Sequence, residues 1–199
     1  MNGNFQLRYA ESSDVEVLAR IERSCWPKEI AGSADDIASR MAAFANGQIV
    51  IEQSVIMGAI YGQRIAHEAL LGELTYDRLT DQGQFTSSHV DDGPVYQLVG
   101  VSVLPEARGF GWGRLLVNDA VRRTRETAGV ERIVGVTRPV DYVKHSGESI
   151  AKYIQRKTDP VLEFHRAGGA LILAGYANYR PGDAQTNGYG VLIEYPLHV

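Results

Sequence analysis

Between Val101 and Arg114 the chain reads Val-Ser-Val-Leu-Pro-Glu-Ala-Arg108-Gly109-Phe-Gly111-Trp-Gly113-Arg114. A strand that runs through a glycine-rich turn into a helix aims successive backbone N–H groups outward at the helix's positive end, which is what a pyrophosphate requires. Glycine lets the anion approach the backbone closely. The spacing Arg-x-x-Gly-x-Gly differs from two common phosphate loops. The dinucleotide fingerprint wants glycine where Arg114 stands, and the Walker loop wants Gly-Lys-Ser/Thr. Other chemistry fares worse. His67-Glu68 has no second histidine four positions after the first, so the zinc-protease helix is absent and no metal site is expected. Cys25, beside Trp26, has no base with which to pair and reads as a small buried hydrophobe.

The elements that must position this loop follow from periodicity. Tyr96–Leu104 is the most strand-like run in the chain and feeds the loop, while Trp112–Thr127 is an arginine-rich helix presenting Leu115, Leu116, Val117, Ala120 and Val121 to a core. Phe5–Tyr9 reads as a strand, and Ser12-Ser13-Asp14 caps a helix that Trp26-Pro27 ends. A second helix opens at Ser33 and stops at Asn46-Gly47, followed by a hairpin of Gln48–Gln53 and Val55–Tyr61. Residues 63–94 carry only a weak helical signal at His67–Leu71 and then a polar loop. Arg132–Thr137 is a buried strand. A helix is expected at Ser149–Lys157 and another, opened by Pro160, ends at Gly168-Gly169. Strands Ala170–Ala177 and Tyr189–Tyr195 bracket the turn Arg180-Pro-Gly-Asp. Alternating strands and helices flanked by strand pairs make this an α/β fold with a mixed sheet. Residues 1–199 read as one domain, with 63–94 as an insertion or lid and 139–160 as a helical connection.

Composition narrows the partners. The chain has 199 residues, 44% hydrophobic and 22% charged, which suits one soluble domain with a real core. A net charge of −4 argues against a surface given over to nucleic acid. The acidic average hides one basic stretch: Ala107–Arg125 holds five arginines and a single acid, Asp119. One cysteine cannot build a disulfide framework, no apolar run is long enough to span a bilayer, and the first residues lack the pattern of a signal peptide. The expectation is a cytoplasmic protein with no membrane or nucleic-acid partner.

The loop, preceded by the strand ending Val-x-Pro and followed by Arg-Leu-Leu, resembles the coenzyme A loop of the GNAT superfamily, the GCN5-related N-acetyltransferases. The resemblance extends over most of the chain. It implies a mixed, mostly antiparallel, twisted sheet of about seven strands, split at the central strand to admit a thioester arm. It also implies that Arg108, Gly109, Gly111, Gly113 and Arg114 bind the pyrophosphate and that Val101 and Val103 pair with the pantetheine. Ordinary members carry a tyrosine on the short late helix, four residues before a Gly-Phe pair, that reprotonates the leaving thiolate. Here that position is His165, followed by Gly169-Ala170, and a histidine, titrating near neutral pH, can donate or accept. Amine acetylation also wants a base near the central strand. Tyr96-Gln-Leu-Val-Gly-Val-Ser has no acid, which leaves Glu73, Asp91 and Asp92 of the loop segment to supply one.

A narrower resemblance lies in Val136-Thr137-Arg138, Asp159-Pro-Val-Leu-Glu-Phe-His165, Gly175-Tyr-x-x-Tyr-Arg180-Pro-Gly-Asp183 and Gly188–Tyr195. These words look like the GNAT-like domains that load starter units in polyketide synthases. Related words also occur in GNAT domains fused to nitrilase-type hydrolases. In the loading domains the implied chemistry is decarboxylation of a malonyl-type thioester, with acyl transfer to a carrier-protein thiol. The matching positions are Thr137, His165 and Arg180, with Trp26 as a pocket wall. Arg180 would hold a carboxylate or phosphate, Thr137 would donate to carboxylate or enolate, and His165 would hydrogen-bond and later protonate. The expected ligand is a coenzyme A thioester, acetyl-CoA or malonyl-CoA, or a phosphopantetheine on an acyl carrier protein. Two other functions stay open: an acetyl-CoA-dependent N-acetyltransferase for a small amine, and a non-catalytic acyl-CoA binding module.

Overall fold

The computed structural model describes residues 4–145 and 147–198. Strand β1 (Gln6–Tyr9) leads through a short 3₁₀ turn into helix α1 (Val15–Cys25), which ends where Trp26 turns extended before Pro27. Ser33 caps α2 (Ala34–Phe44): its hydroxyl accepts from the Asp36 amide while the Asp36 carboxyl accepts from the Ser33 amide. Strands β2 (Gln48–Glu52) and β3 (Ile56–Ile65) form the expected hairpin, and β3 runs four residues beyond Tyr61. The extension is polar in sequence, which hid it, yet Gly62–Ile65 pairs in full with β4 (Val95–Val103). Between them lie a 3₁₀ turn at His67–Leu70 and a five-residue helix, α3 (Tyr76–Thr80). Helix α4 (Trp112–Arg125) and strand β5 (Arg132–Thr137) follow. The helix expected at Ser149–Lys157 is only α5 (Ile150–Tyr153), and Lys157 sits at φ 56, a left-handed conformation that no helix continues through. Helix α6 (Pro160–Arg166) and strands β6 (Leu171–Tyr176) and β7 (Gly190–Tyr195) complete the chain.

The seven strands form one sheet in the order β1-β2-β3-β4-β5-β7-β6. All neighbours are antiparallel except β4 and β5, which run parallel and pair only from Val95↔Arg132 to Leu98↔Gly135. Past Leu98 the two strands separate. A bulge at Val99, where Tyr61 pairs with Gly100 and Gly62 with Leu98, bends β4 at that point. The fold is the expected α/β architecture, an open mixed sheet split at its centre. One core packs α4 against the sheet through Leu116, Val117, Ala120 and Val121; another packs α1 and α2 on the N-terminal strands through Leu18, Ile21 and Ile37. Among the described residues no helix is long and apolar enough to cross a membrane.

Candidate active site

The gap between β4 and β5 opens into a cavity of about 660 Å³. Its walls bring together Trp26, Val101, Val103, Arg108, Thr137, His165 and Arg180 from five separate parts of the chain. Gly109, Gly111, Gly113 and Arg114 stand outside the lining, where the loop enters α4.

The loop has the features of an anion cradle. Gly109 and Gly111 adopt φ +85 and +83, which only glycine takes without strain, and a side chain there would meet nothing within 4 Å. Gly111 is the N-cap of α4 and offers no side-chain cap, so the first N–H groups of that helix stay available. Arg108 is exposed at the cavity mouth, where its Nε donates to the Val103 carbonyl at 3.3 Å. Arg114 behaves differently from the expectation that it binds pyrophosphate. Its Nη2 donates to the Phe164 carbonyl, its guanidinium lies 4.3 Å over the Phe164 ring, and its Nη1 is buried without a partner beside Gly168, where a Cβ would overlap it. The first turn of α4 directs this side chain at α6, away from the loop, so what it holds is the helix that carries His165.

His165 sits on α6, which Asp159 starts. The Asp159 carboxyl is 2% exposed and accepts from the amides of Val161 and Leu162, the amide of Asp141 and the hydroxyl of Tyr153. His165 Nδ1 lies 2.7 Å from the Tyr195 hydroxyl on β7. Burial, with the Arg114 cation as a second cause, pushes the His165 pKa down to about 4, so the ring is neutral at physiological pH. That corrects the expectation of a group titrating near neutrality. Burial also pushes the Tyr195 hydroxyl up to about 12.

Thr137 ends β5 opposite Val191 and is buried. Its neighbour Arg138 forms a bidentate pair with Asp183 at 2.5 and 2.7 Å and lies 5.2 Å over the Trp26 ring. Burial disfavours the Asp183 carboxylate, but the Arg138 guanidinium outweighs it and holds the pKa below the usual range. On the other side Trp26 Nε1 donates to Ser102 Oγ at 2.7 Å, and Ser102 donates to the buried Glu22. Arg180 donates to the Ile30 carbonyl at 2.8 Å and stacks 3.8 Å over the ring of Tyr76, which also lines the cavity. Among the described residues Arg180 has no carboxylate partner.

Charge in the cavity is therefore lopsided. Among the described residues Asp183 is the one acid in the lining, and Arg138 holds both its oxygens. The loop acids considered as a base do not reach it: Glu73, Asp91 and Asp92 are all exposed and none lines the cavity. Among the described residues no group of histidine, cysteine and acidic side chains is arranged to hold a metal. Tyr76, Arg138, Asp183 and Tyr195 were not identified as site residues from the sequence. Arg138 and Asp183 lie inside words that carried the resemblance, adjacent to Thr137 and three residues after Arg180. Tyr76 and Tyr195 reach the site only through tertiary packing.

Comparison with known proteins agrees with this geometry. The model of the acetyltransferase (GNAT) family matches residues 16–145. An uncharacterized N-acetyltransferase of Bacillus subtilis (strain 168), YkwB, is 28% identical over 200 residues, covering 95% of this chain and 87% of the relative. The loading GNATL domain of CurA from Lyngbya majuscula superposes with a TM-score of 0.88 at 31% identity over 98% of each chain. The GphF GNAT-like decarboxylase, solved in complex with isobutyryl-CoA, superposes with a TM-score of 0.87 at 32% identity over 97% of this chain and all of that one. By the match of its loop, sheet and family model, the chain belongs to the GNAT acetyltransferase family.

Proposed function

We propose that this protein is a cytoplasmic enzyme that binds a malonyl-type thioester of coenzyme A or of a carrier-protein phosphopantetheine in the split of the sheet and decarboxylates it. The observation that carries the reading is the charge of the cavity: among the described residues Arg180 enters it without a carboxylate partner, and the one acid in the lining is engaged by Arg138. An anionic substituent on the acyl group answers the first fact. A reaction needing no protein carboxylate as base answers the second. The likeness to a protein described as a GNAT-like decarboxylase, with isobutyryl-CoA bound, supports the same reading.

The residues fit the ligand. Arg108 and the uncapped amides behind Gly109, Gly111 and Gly113 hold the pyrophosphate, and the inner edge of β4, unpaired with β5 past Leu98, takes the pantetheine amides at Val101 and at Val103, whose carbonyl Arg108 occupies in this structure. Arg180 holds the carboxylate, fixed in place by Tyr76 and the Ile30 carbonyl. The C–C bond breaks, carbon dioxide leaves, and the electron pair passes to the thioester as an enolate. Thr137 and the neutral His165 donate to that developing oxyanion, where each such donor lowers a barrier by about 3 kcal/mol. Because His165 is not cationic at neutral pH, the proton that completes the methyl carbon comes from water, and the thioester is left with an acetyl group. Trp26, pinned between Arg138 and Ser102, walls the acyl end. Transfer of the acyl group to a carrier-protein thiol is a second step the same cavity would house.

Amine acetylation remains the alternative that the description of YkwB favours. One experiment separates the two. The protein is incubated with malonyl-CoA alone and, in parallel, with acetyl-CoA plus small amines, and products are followed by mass spectrometry. Acetyl-CoA arising from malonyl-CoA, and falling at least ~100-fold in His165→Ala, supports decarboxylation. Acetylated amine with intact malonyl-CoA establishes the alternative, and coenzyme binding with neither product, a malonyl carrier protein being unchanged as well, leaves a binding module.

A further inference from the structure

Tyr195 is one of the most completely buried large side chains in the protein, at 2% exposure, and its hydroxyl must place its proton somewhere. The hydroxyl lies 2.7 Å from His165 Nδ1. The other charged group near it is Arg114, which has only donors. Glu163 and Arg166, the charged neighbours on α6, are paired with each other, and Arg166 also donates to the Ile154 carbonyl. If Nδ1 carried the ring proton, Tyr195 would accept it, and its own proton would need another acceptor. The hydrogen bonds among the described residues offer none. The assignment that satisfies both groups has Tyr195 donating to a bare Nδ1, which in a neutral imidazole puts the ring proton on Nε2.

We propose that Tyr195 fixes the tautomer of His165, holding Nδ1 as an acceptor and presenting Nε2–H to the cavity, and so acts as a positioning residue for the chemistry there. Two features back the assignment. Burial keeps the Tyr195 proton on its oxygen, and burial together with Arg114 keeps the imidazole neutral, so neither partner ionises to escape the arrangement. The geometry is also firmly braced, since Tyr195 pairs with Ile133 at the end of β7 and α6 is tied to α4 through Arg114 and the Phe164 carbonyl. An imidazole held this way can give a hydrogen bond to an oxyanion but cannot take a proton through Nε2. That property suits an enolate-forming reaction and is wrong for a base that activates an acceptor nucleophile. The catalytic consequence rests on the thioester reading above, whereas the tautomer does not.

The test is long-range ¹H–¹⁵N NMR of the full-length protein labelled at its five histidines, recorded at pH 7, with the His165 signals assigned by their loss in His165→Gln. The expected result is a protonated Nε2 and a bare, hydrogen-bonded Nδ1 in the wild-type protein, with the Nδ1 signal moving in Tyr195→Phe as its donor is lost. A protonated Nδ1 in the wild-type protein, or a His165 spectrum identical in Tyr195→Phe, overturns the proposal. With malonyl-CoA, Tyr195→Phe is expected to lose ~10-fold in kcat with KM within twofold, the worth of one hydrogen bond of about 1.4 kcal/mol. A wild-type protein inert toward both malonyl-CoA and a malonyl carrier protein but showing the expected tautomer refutes the thioester reading and leaves the tautomer assignment standing.

Discussion

Replacing Asp159 with alanine should cost far more than the loss of a surface acid. The carboxyl is 2% exposed and takes four hydrogen bonds at 2.8 to 3.0 Å: two cap α6, one holds the amide of Asp141, and one holds the hydroxyl of Tyr153. Loss of a helix cap costs about 1 kcal/mol. Tyr153, itself buried, and the Asp141 amide are then left without an acceptor, at about 1–3 kcal/mol each. The expected total is about 3–7 kcal/mol, a large part of the stability of an ordinary domain and equivalent to a fall in Tm on the order of 10–20 °C. Urea denaturation read by far-UV circular dichroism measures it directly. Asp159→Asn, which keeps one acceptor oxygen, should lose roughly half as much. Because α6 carries His165 and the connection from Tyr142 to Asp159 converges on the same carboxyl, turnover should fall in Asp159→Ala at temperatures where it is still folded. A variant within 1 kcal/mol of the parent would show that this carboxyl does not hold α6 and that the account of how His165 is placed is wrong.

Acid should expose the burial of His165. Its pKa moves from 6.5 to about 4 on folding, so the unfolded chain binds the proton first and stability, whole above about pH 6.5, drains as pH falls toward 4; the most this contributes is about 3 kcal/mol, and His165→Gln should flatten that part of the pH–stability curve. Tyr76→Leu removes the ring stacked under Arg180, a partly desolvated cation–π contact worth about 1–2 kcal/mol, and should raise the KM for a malonyl thioester roughly 10-fold, with Tyr76→Phe near the parent; equal KM values in all three would detach Tyr76 from the site. Gly111→Val places a β-branched residue at φ +83 in the loop and should weaken coenzyme A binding measured by calorimetry; unaltered affinity would put the phosphate site elsewhere.

Where hydrophobic runs and glycine punctuation agreed, the sequence was legible. Arg132–Thr137 is a strand with the bounds its residues predict, and Tyr96–Leu104 is displaced by one residue, because both are apolar, β-branched runs with clear ends. The 63–94 segment was opaque because long-range polar contacts, not periodicity, hold it. Gln63, fully buried, donates to the Leu79 carbonyl and to Gln97 and accepts from Ser88, while the Tyr76 amide donates to the Tyr179 carbonyl. That is how a segment read as an insertion or lid comes to supply a wall of the cavity. Arg114 shows the opposite difficulty. The motif fixed its place in the chain, but the space left by Gly168 and the ring of Phe164 decide where its side chain goes. Tyr195 was invisible for a related reason, since its partner lies thirty residues away on another element and nothing local marks it.

On the proposed function the cavity converts a malonyl thioester without an acceptor. The direct measurement is incubation of the purified protein with malonyl-CoA in deuterium oxide, with the coenzyme products analysed by mass spectrometry. The expected product is acetyl-CoA carrying one solvent deuterium on the methyl group, formed catalytically by the wild-type protein and strongly reduced in Thr137→Val and His165→Ala. Malonyl-CoA recovered intact, with a malonyl carrier protein equally unchanged under the same conditions, would contradict it.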